Sequence, residues 1–197
     1  MTYIKTFSGK KFDYINPTVD MIDIEDIATS LARTNRFVGH SSRPYSVAEH
    51  SIRCLAMAID LNYTFREQLL VLMHDFTEAY VGDCPTPLKK LLPEFRGIEE
   101  KVEHLLYEYV KIQPPTAEEY IKIKSIDLTM LAIEMKYLTS HDWNDFIYPM
   151  THKQFLDDED YVLDNNPEED DLLIKGLLAC FDHVFSYHKY ELSQEGK

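Results

Sequence analysis

Along most of the chain apolar side chains return every three or four residues, the spacing that lines one face of a helix. After Asp23, the stretch IEDIATSLA sets Ile24, Ile27, Ala28 and Leu31 on one such stripe. The polar punctuation agrees. SVAE (46–49), TFRE (64–67) and TAEE (116–119) each place a hydroxyl residue three before a Glu, the pattern in which two side chains reciprocally satisfy free N–H groups at a helix start. The pattern predicts helices over 24–34, 46–61, 65–80, 94–111, 117–139 and 168–188. Alternation in TYIKTFSGKKFDYIN predicts a short β-ribbon turning near Ser8 and Gly9. The expected fold is therefore all-α, a single helical-bundle domain over 1–197 with a short N-terminal ribbon.

One connection breaks the rhythm. From Ser140 to Pro167 the chain carries DDEDYVLDNNPEEDD and no periodicity, too long for an ordinary linker inside a domain. It reads as a lid, a partner-facing arm or a solvated acidic loop, with solvation the plainest of the three.

Composition narrows the function classes. A net charge of −14 disfavours duplex nucleic acid and anionic membranes as partners, while leaving room for a small anionic substrate held by a few local cations. Cys54, Cys84 and Cys180 lie far apart without CxxC spacing, and one stays unpaired in any disulfide scheme, which fits a reducing compartment. No stretch approaches the roughly 20 apolar residues of a membrane span or the pattern of a signal peptide. The expectation is a soluble cytoplasmic protein.

The chemistry concentrates in LLVLMHDFTEAYVGD, 69–83, where an apolar helix face runs into His74, Asp75, Glu78 and Asp83. A lone His on an apolar helix is more often a satisfied core residue than a ligand. Adjacent His74 and Asp75, with His50 and Asp127 on other predicted helices, change that balance. Asp127 in the apolar run IDLTMLAIEM needs a cation or a hydrogen-bond network to offset its burial. Two imidazoles and two carboxylates make a nitrogen and oxygen set suited to Zn, Mn, Fe or Co, with Mg also accommodated.

The order His50, then His74-Asp75, then Asp127 resembles the H…HD…D pattern of the HD-domain metal-dependent phosphohydrolases. ARTNRFVGH, YSVAEHS, HDFTEAYVGDCPTPLK and IKSIDLTMLAIE further resemble the branch holding bacterial 5′-deoxynucleotidases and phage-type dATP triphosphohydrolases, over roughly residues 3 to 140. The resemblance implies an all-α fold with His50, His74, Asp75 and Asp127 as ligands of a divalent metal. It implies Glu78 as the carboxylate that handles the attacking water, with Asp83 assisting it. Asp83 competes with a simpler role as a turn or capping residue after Gly82. Arg36 matches a substrate-side arginine, Lys89 and Lys124 match cations for a polyphosphate tail, and Phe37 offers a stacking surface that an ordinary core aromatic would equally explain. Lys90 and Lys122 are less well placed. His40 sits in a family-like loop, and the remaining histidines have no ligand partner at a convincing spacing.

The implied reaction is hydrolysis of dATP to deoxyadenosine and triphosphate, with dADP and dAMP also degraded. In a phage-type modified-purine pathway, that reaction depletes dATP in the host cytoplasm. Alternatives are a 5′-deoxynucleotidase acting on dNMPs, an alarmone hydrolase, and a metal-stabilised acidic helical adaptor without turnover. The lack of a GYP element after the HD motif counts against the cyclic-dinucleotide branch. Relatives of this type assemble, so a homo-oligomer of at least two copies is expected.

Overall fold

A computed structural model describes residues 1–195. The chain opens with β1 (Tyr3–Lys5) and β2 (Lys11–Asp13), antiparallel with Ile4 opposite Phe12. Gly9 takes the turn at φ +88°, a conformation that a side chain disfavours. The ribbon docks on the helices chiefly through Phe12, fully buried, which stacks on Tyr80 with ring centroids 4.3 Å apart.

The rest is helical: α1 (Ile24–Arg33), α2 (Val47–Asp60), α3 (Phe65–Met73), α4 (Glu78–Val81), α5 (Thr86–Lys89), α6 (Pro93–Val110), α7 (Ala117–Leu138) and α8 (Asp170–Glu195). No helix among the described residues is long and apolar enough to cross a membrane. The hydroxyl caps form as the pattern predicts at Thr64 and Thr116, each in a reciprocal pairing with the Glu three residues on. At Ser46 only half the motif forms. Ser46 caps α2, but Glu49 turns away to make a two-pronged pair with Arg43, at 2.8 Å on each arm.

Helix α8 packs across α1, α2 and α3, and α7 closes the other side of α2 and α3. Ile27, Leu31, Leu72, Phe76, Leu177 and Val184 belong to one apolar core, and Cys54, Met57, Ile126, Met130 and Ile133 to a second. The acidic segment 140–167 completes that second core with its apolar residues, while most of its acidic side chains stay exposed. Phe155, Leu156, Tyr161 and Leu163 are buried in it, and Tyr161 donates to Asp60 at 2.7 Å. Lys136 donates to the Leu156 carbonyl, and Arg43 Nε to the Asp164 carbonyl. Apolar residues spaced irregularly, one to five apart, in an acidic strap lack helical or strand periodicity, so pattern alone concealed their burial.

The predicted helix over 65–80 is also broken. α3 ends at Met73, and Phe76, Glu78, Ala79 and Tyr80 donate to carbonyls three residues back, the tighter winding of a 3₁₀ turn. The break falls on His74-Asp75. These two residues are partly exposed, whereas Leu69, Leu70 and Leu72 before the break are buried.

Between α1 and α2 the chain is pinned by Arg36 N–H to the Tyr45 carbonyl and Val47 N–H to the Thr34 carbonyl. Inside that loop Phe37 (φ +58°) and Val38 (φ +54°) are both left-handed. For exposed, β-branched Val38 that conformation is strained by about 1–2 kcal/mol. Asn tolerates it, so Val38→Asn is expected to raise stability by about 1 kcal/mol in a denaturant melt.

Candidate metal centre

Three parts of the bundle converge on one point. His50 comes from the first turn of α2, His74 and Asp75 from the break after α3, and Asp127 from the middle of α7. His50 Nε2 lies 3.2 Å from His74 Nε2, 3.5 Å from Asp75 Oδ2 and 3.6 Å from Asp127 Oδ1. His74 Nε2 lies 3.2 Å from Asp75 Oδ2 and 4.0 Å from Asp127 Oδ1. Donors about 2.1 Å from a common tetrahedral centre stand about 3.4 Å apart, so this spacing is that of a single-ion site.

Hydrogen bonding at the far side of each ring decides what faces the centre. His74 Nδ1 donates to the Val71 carbonyl at 2.7 Å, a carbonyl exposed to it by the tight turn. His50 Nδ1 lies 2.5 Å from Glu134 Oε1, an ionised carboxylate that only accepts. With Nδ1 protonated, each ring in its neutral form turns a bare Nε2 lone pair toward the other ring and toward two carboxylates. Four electron-rich atoms so placed require a shared cation, a proton or a metal, and their chemistry fits a divalent ion of the zinc or manganese class.

The charges respond accordingly. Burial opposes the imidazolium of His74, but Asp75 and Asp127 outweigh it and push its pKa up to about 9. Burial likewise opposes ionised Asp75, yet His74, His50 and Arg36 hold it well below the usual carboxylate range. Asp127 is lowered against its burial by the two histidines and Lys124, whose Nζ is 2.6 Å from Oδ2. His50 is wholly buried, whereas the Asp75 and Asp127 side chains are each 19% exposed. Solvent thus reaches the centre from the carboxylate side.

Glu78, one turn beyond Asp75, is buried, and its Oε2 has no hydrogen-bond partner. Burial, then Asp75 and Asp83, push its pKa up to about 10. Asp83 is raised chiefly by burial and feels Arg36, Asp75 and Lys89, so it belongs to the same electrostatic field. Arg36 is positioned differently from a free phosphate clamp. Its Nε and Nη2 donate to Glu134 Oε2 at 3.2 and 3.0 Å, and Nη1 to Asp75 Oδ2 at 3.3 Å. Its guanidinium also lies over the Phe37 ring, 5.4 Å from the centroid. Lys89 is held by Glu99 at 2.7 Å. His40 is exposed, and His152, in the 140–167 segment, bonds to Ser125 of α7; neither belongs to the cluster of candidate ligands.

Two neighbours were not read from the sequence. Glu134 follows Asp127 by seven residues, two turns along the same face of α7, and that spacing was the available signal. Cys54 follows His50 by four, and its Sγ lies 3.5 Å from His50 Nε2. With His50 and His74 it could also hold a metal ion. Burial, Asp127 and Glu134 raise its thiol pKa well above the ordinary value, so it stands beside the centre as a neutral group. A hollow of about 380 Å³ between the ribbon and α1, lined by Phe7, Asp26, Arg33 and Tyr80, includes none of the four ligands.

No family model matches the chain. Over 142 residues, 72% of this chain and 75% of the relative, it is 42% identical to the uncharacterized protein YfdR of Escherichia coli (strain K12). Over 89 residues, 43% of this chain and 45% of the relative, it is 38% identical to an uncharacterized protein of Rhodobacter capsulatus.

Proposed function

We propose that this chain, which belongs to the family of the Escherichia coli protein YfdR, is a metal-dependent phosphohydrolase of deoxynucleotides with the HD-domain arrangement. The observation that carries the reading is the meeting of four lone-pair atoms, from His50, His74, Asp75 and Asp127, beside the unpartnered buried carboxyl of Glu78. A structural metal site has no need of that carboxyl. A divalent ion held by the four ligands supplies Lewis acidity and activates water at neutral pH.

The chain's own groups do the rest. Glu78 accepts the proton of the attacking water, a role for which it must be ionised; added positive charge at the centre is what its metal-free surroundings lack. Asp83 shares the field of Glu78 and orients the same water. Arg36 holds Asp75 in place and brings its positive charge beside the site where a phosphoryl oxygen would sit. Phe37 presents a ring for a base. Lys89 and Lys124 would meet a polyphosphate, which favours dATP cleaved to deoxyadenosine and triphosphate.

One observation favours a second reading within the same chemistry. Lys89 and Lys124 already carry carboxylate partners, Glu99 and Asp127, so a triphosphate must compete for them. A monophosphate needs neither lysine, which makes a 5′-deoxynucleotidase acting on dNMPs the alternative. Incubating the purified protein, loaded with Zn, Co or Mn, with each dNTP, each dNMP and a guanosine tetraphosphate alarmone separates these outcomes by product. Deoxyadenosine with triphosphate is the expected result. Phosphate released only from dNMPs moves the assignment to the nucleotidase, and turnover of the alarmone alone moves it to that class. A tightly bound ion with no turnover of any of them would leave a helical adaptor and overturn the proposal.

A further inference from the structure

Beyond its four ligands, the centre depends on a carboxylate that never faces it. Glu134 is fully buried, a costly place for an anion unless hydrogen bonds and opposite charge offset the lost solvation. Its two oxygens divide the work. Oε1 receives His50 Nδ1 at 2.5 Å; Oε2 receives Arg36 Nε at 3.2 Å and Nη2 at 3.0 Å. The free end of the same guanidinium donates to Asp75 Oδ2, the oxygen that stands 3.2 Å from His74 Nε2. One side chain therefore touches two arms of the site, one directly and one through Arg36.

We infer that Glu134 is the positioning residue of the centre, fixing the His50 proton on Nδ1 so that Nε2 faces the metal, and holding Asp75 through Arg36. The inference rests on the metal-centre reading above. Its logic is chemical: an ionised carboxylate accepts and cannot donate, so it permits only a ring with a proton on Nδ1. Gln of the same shape loses that restriction. Its amide NH₂ can face Nδ1 and drive the proton to Nε2, which removes the lone pair from the site, and it leaves the buried Arg36 without its principal counter-ion.

Arg43 and Glu49 provide an internal control. That ion pair is buried as deeply, bonds at 2.8 Å, and involves no imidazole. A purely structural role for Glu134 predicts that Glu134→Gln and Glu49→Gln behave alike.

The test joins zinc affinity, by competition with a chromophoric chelator, to ¹⁵N NMR of the histidine rings with and without zinc. In the wild-type protein the His50 proton is expected on Nδ1 in both states. Glu134→Gln should weaken zinc binding by about 10- to 100-fold and lose or relocate that proton, with Glu134→Asp recovering part of both. Glu49→Gln should lower the melting temperature and leave zinc affinity within about twofold. An unchanged affinity and an unchanged Nδ1 proton in folded Glu134→Gln would overturn the inference, as would equal loss in Glu49→Gln. If Glu134→Gln does not fold, the wild-type spectrum decides, since His50 protonated only on Nε2 contradicts the assignment. Wild-type protein that binds no zinc while keeping the Nδ1 proton refutes the metal reading and upholds the effect of Glu134 on the ring.

Discussion

Replacing Glu78 by Gln is expected to lower kcat by about 10²- to 10⁴-fold, leave the bound metal in place, and make the metal-free protein more stable at pH 8. The three effects have one origin. Glu78 is not placed among the ligand atoms, so the centre survives its loss, but the group that accepts the proton from water is gone. In the metal-free fold its carboxyl is held neutral up to about 10, against about 4.5 for the unfolded chain. Between those values the unfolded state ionises and the folded state does not, so the folded state is the one binding the extra proton. Stability present near pH 4.5 is therefore lost as pH rises toward 10. Gln cannot ionise in either state and removes the loss. Thermal melts of metal-free wild type and Glu78→Gln should coincide near pH 4.5 and separate as pH rises, with the variant more stable by roughly 1–3 kcal/mol at pH 8. A variant with unchanged turnover would show that another group handles the proton.

Much of this was legible before any coordinates. The four candidate ligands lie on or next to helix segments that the apolar periodicity predicts, and an Asp in the apolar run IDLTMLAIEM was itself a signal. Helix starts followed from local hydrogen-bond chemistry at Thr64 and Thr116, which needs no tertiary information. Three features resisted. The tight turn at His74–Thr77 depends on ring-to-carbonyl bonding to Val71 that periodicity does not encode. The strap over 140–167 buries its apolar residues through contacts with Asp60, Thr129 and Lys136, far away in sequence. Arg36 was read from its motif as a phosphate ligand, whereas buried Glu134 and partly exposed Asp75 share it. Their sum of charges, not the motif, sets its geometry.

Asp127 offers the second large effect, because it is the one ligand from α7 and joins the second core to the centre. At free zinc a hundredfold above Kd, a site that exists only in the folded state stabilises the protein by about 2.7 kcal/mol. For a domain of this size that corresponds to a rise in Tm of about 5–10 °C. Asp127→Asn keeps the shape of the side chain and its place beside His50, yet withdraws the anionic oxygen and releases Lys124 next to the site. Like charge then stands where a dication must enter. Zinc affinity is expected to fall by at least about 100-fold, the zinc-induced rise in Tm to vanish, and turnover to vanish with it. The metal-free melting temperature should move far less, because Asp127 there is both attracted by His50 and His74 and repelled by Asp75. Differential scanning calorimetry with and without zinc, on both proteins, measures the two quantities together. An equal zinc-induced rise in wild type and variant would place the ion elsewhere, and among the described residues Cys54, His50 and His74 form a set that could hold it.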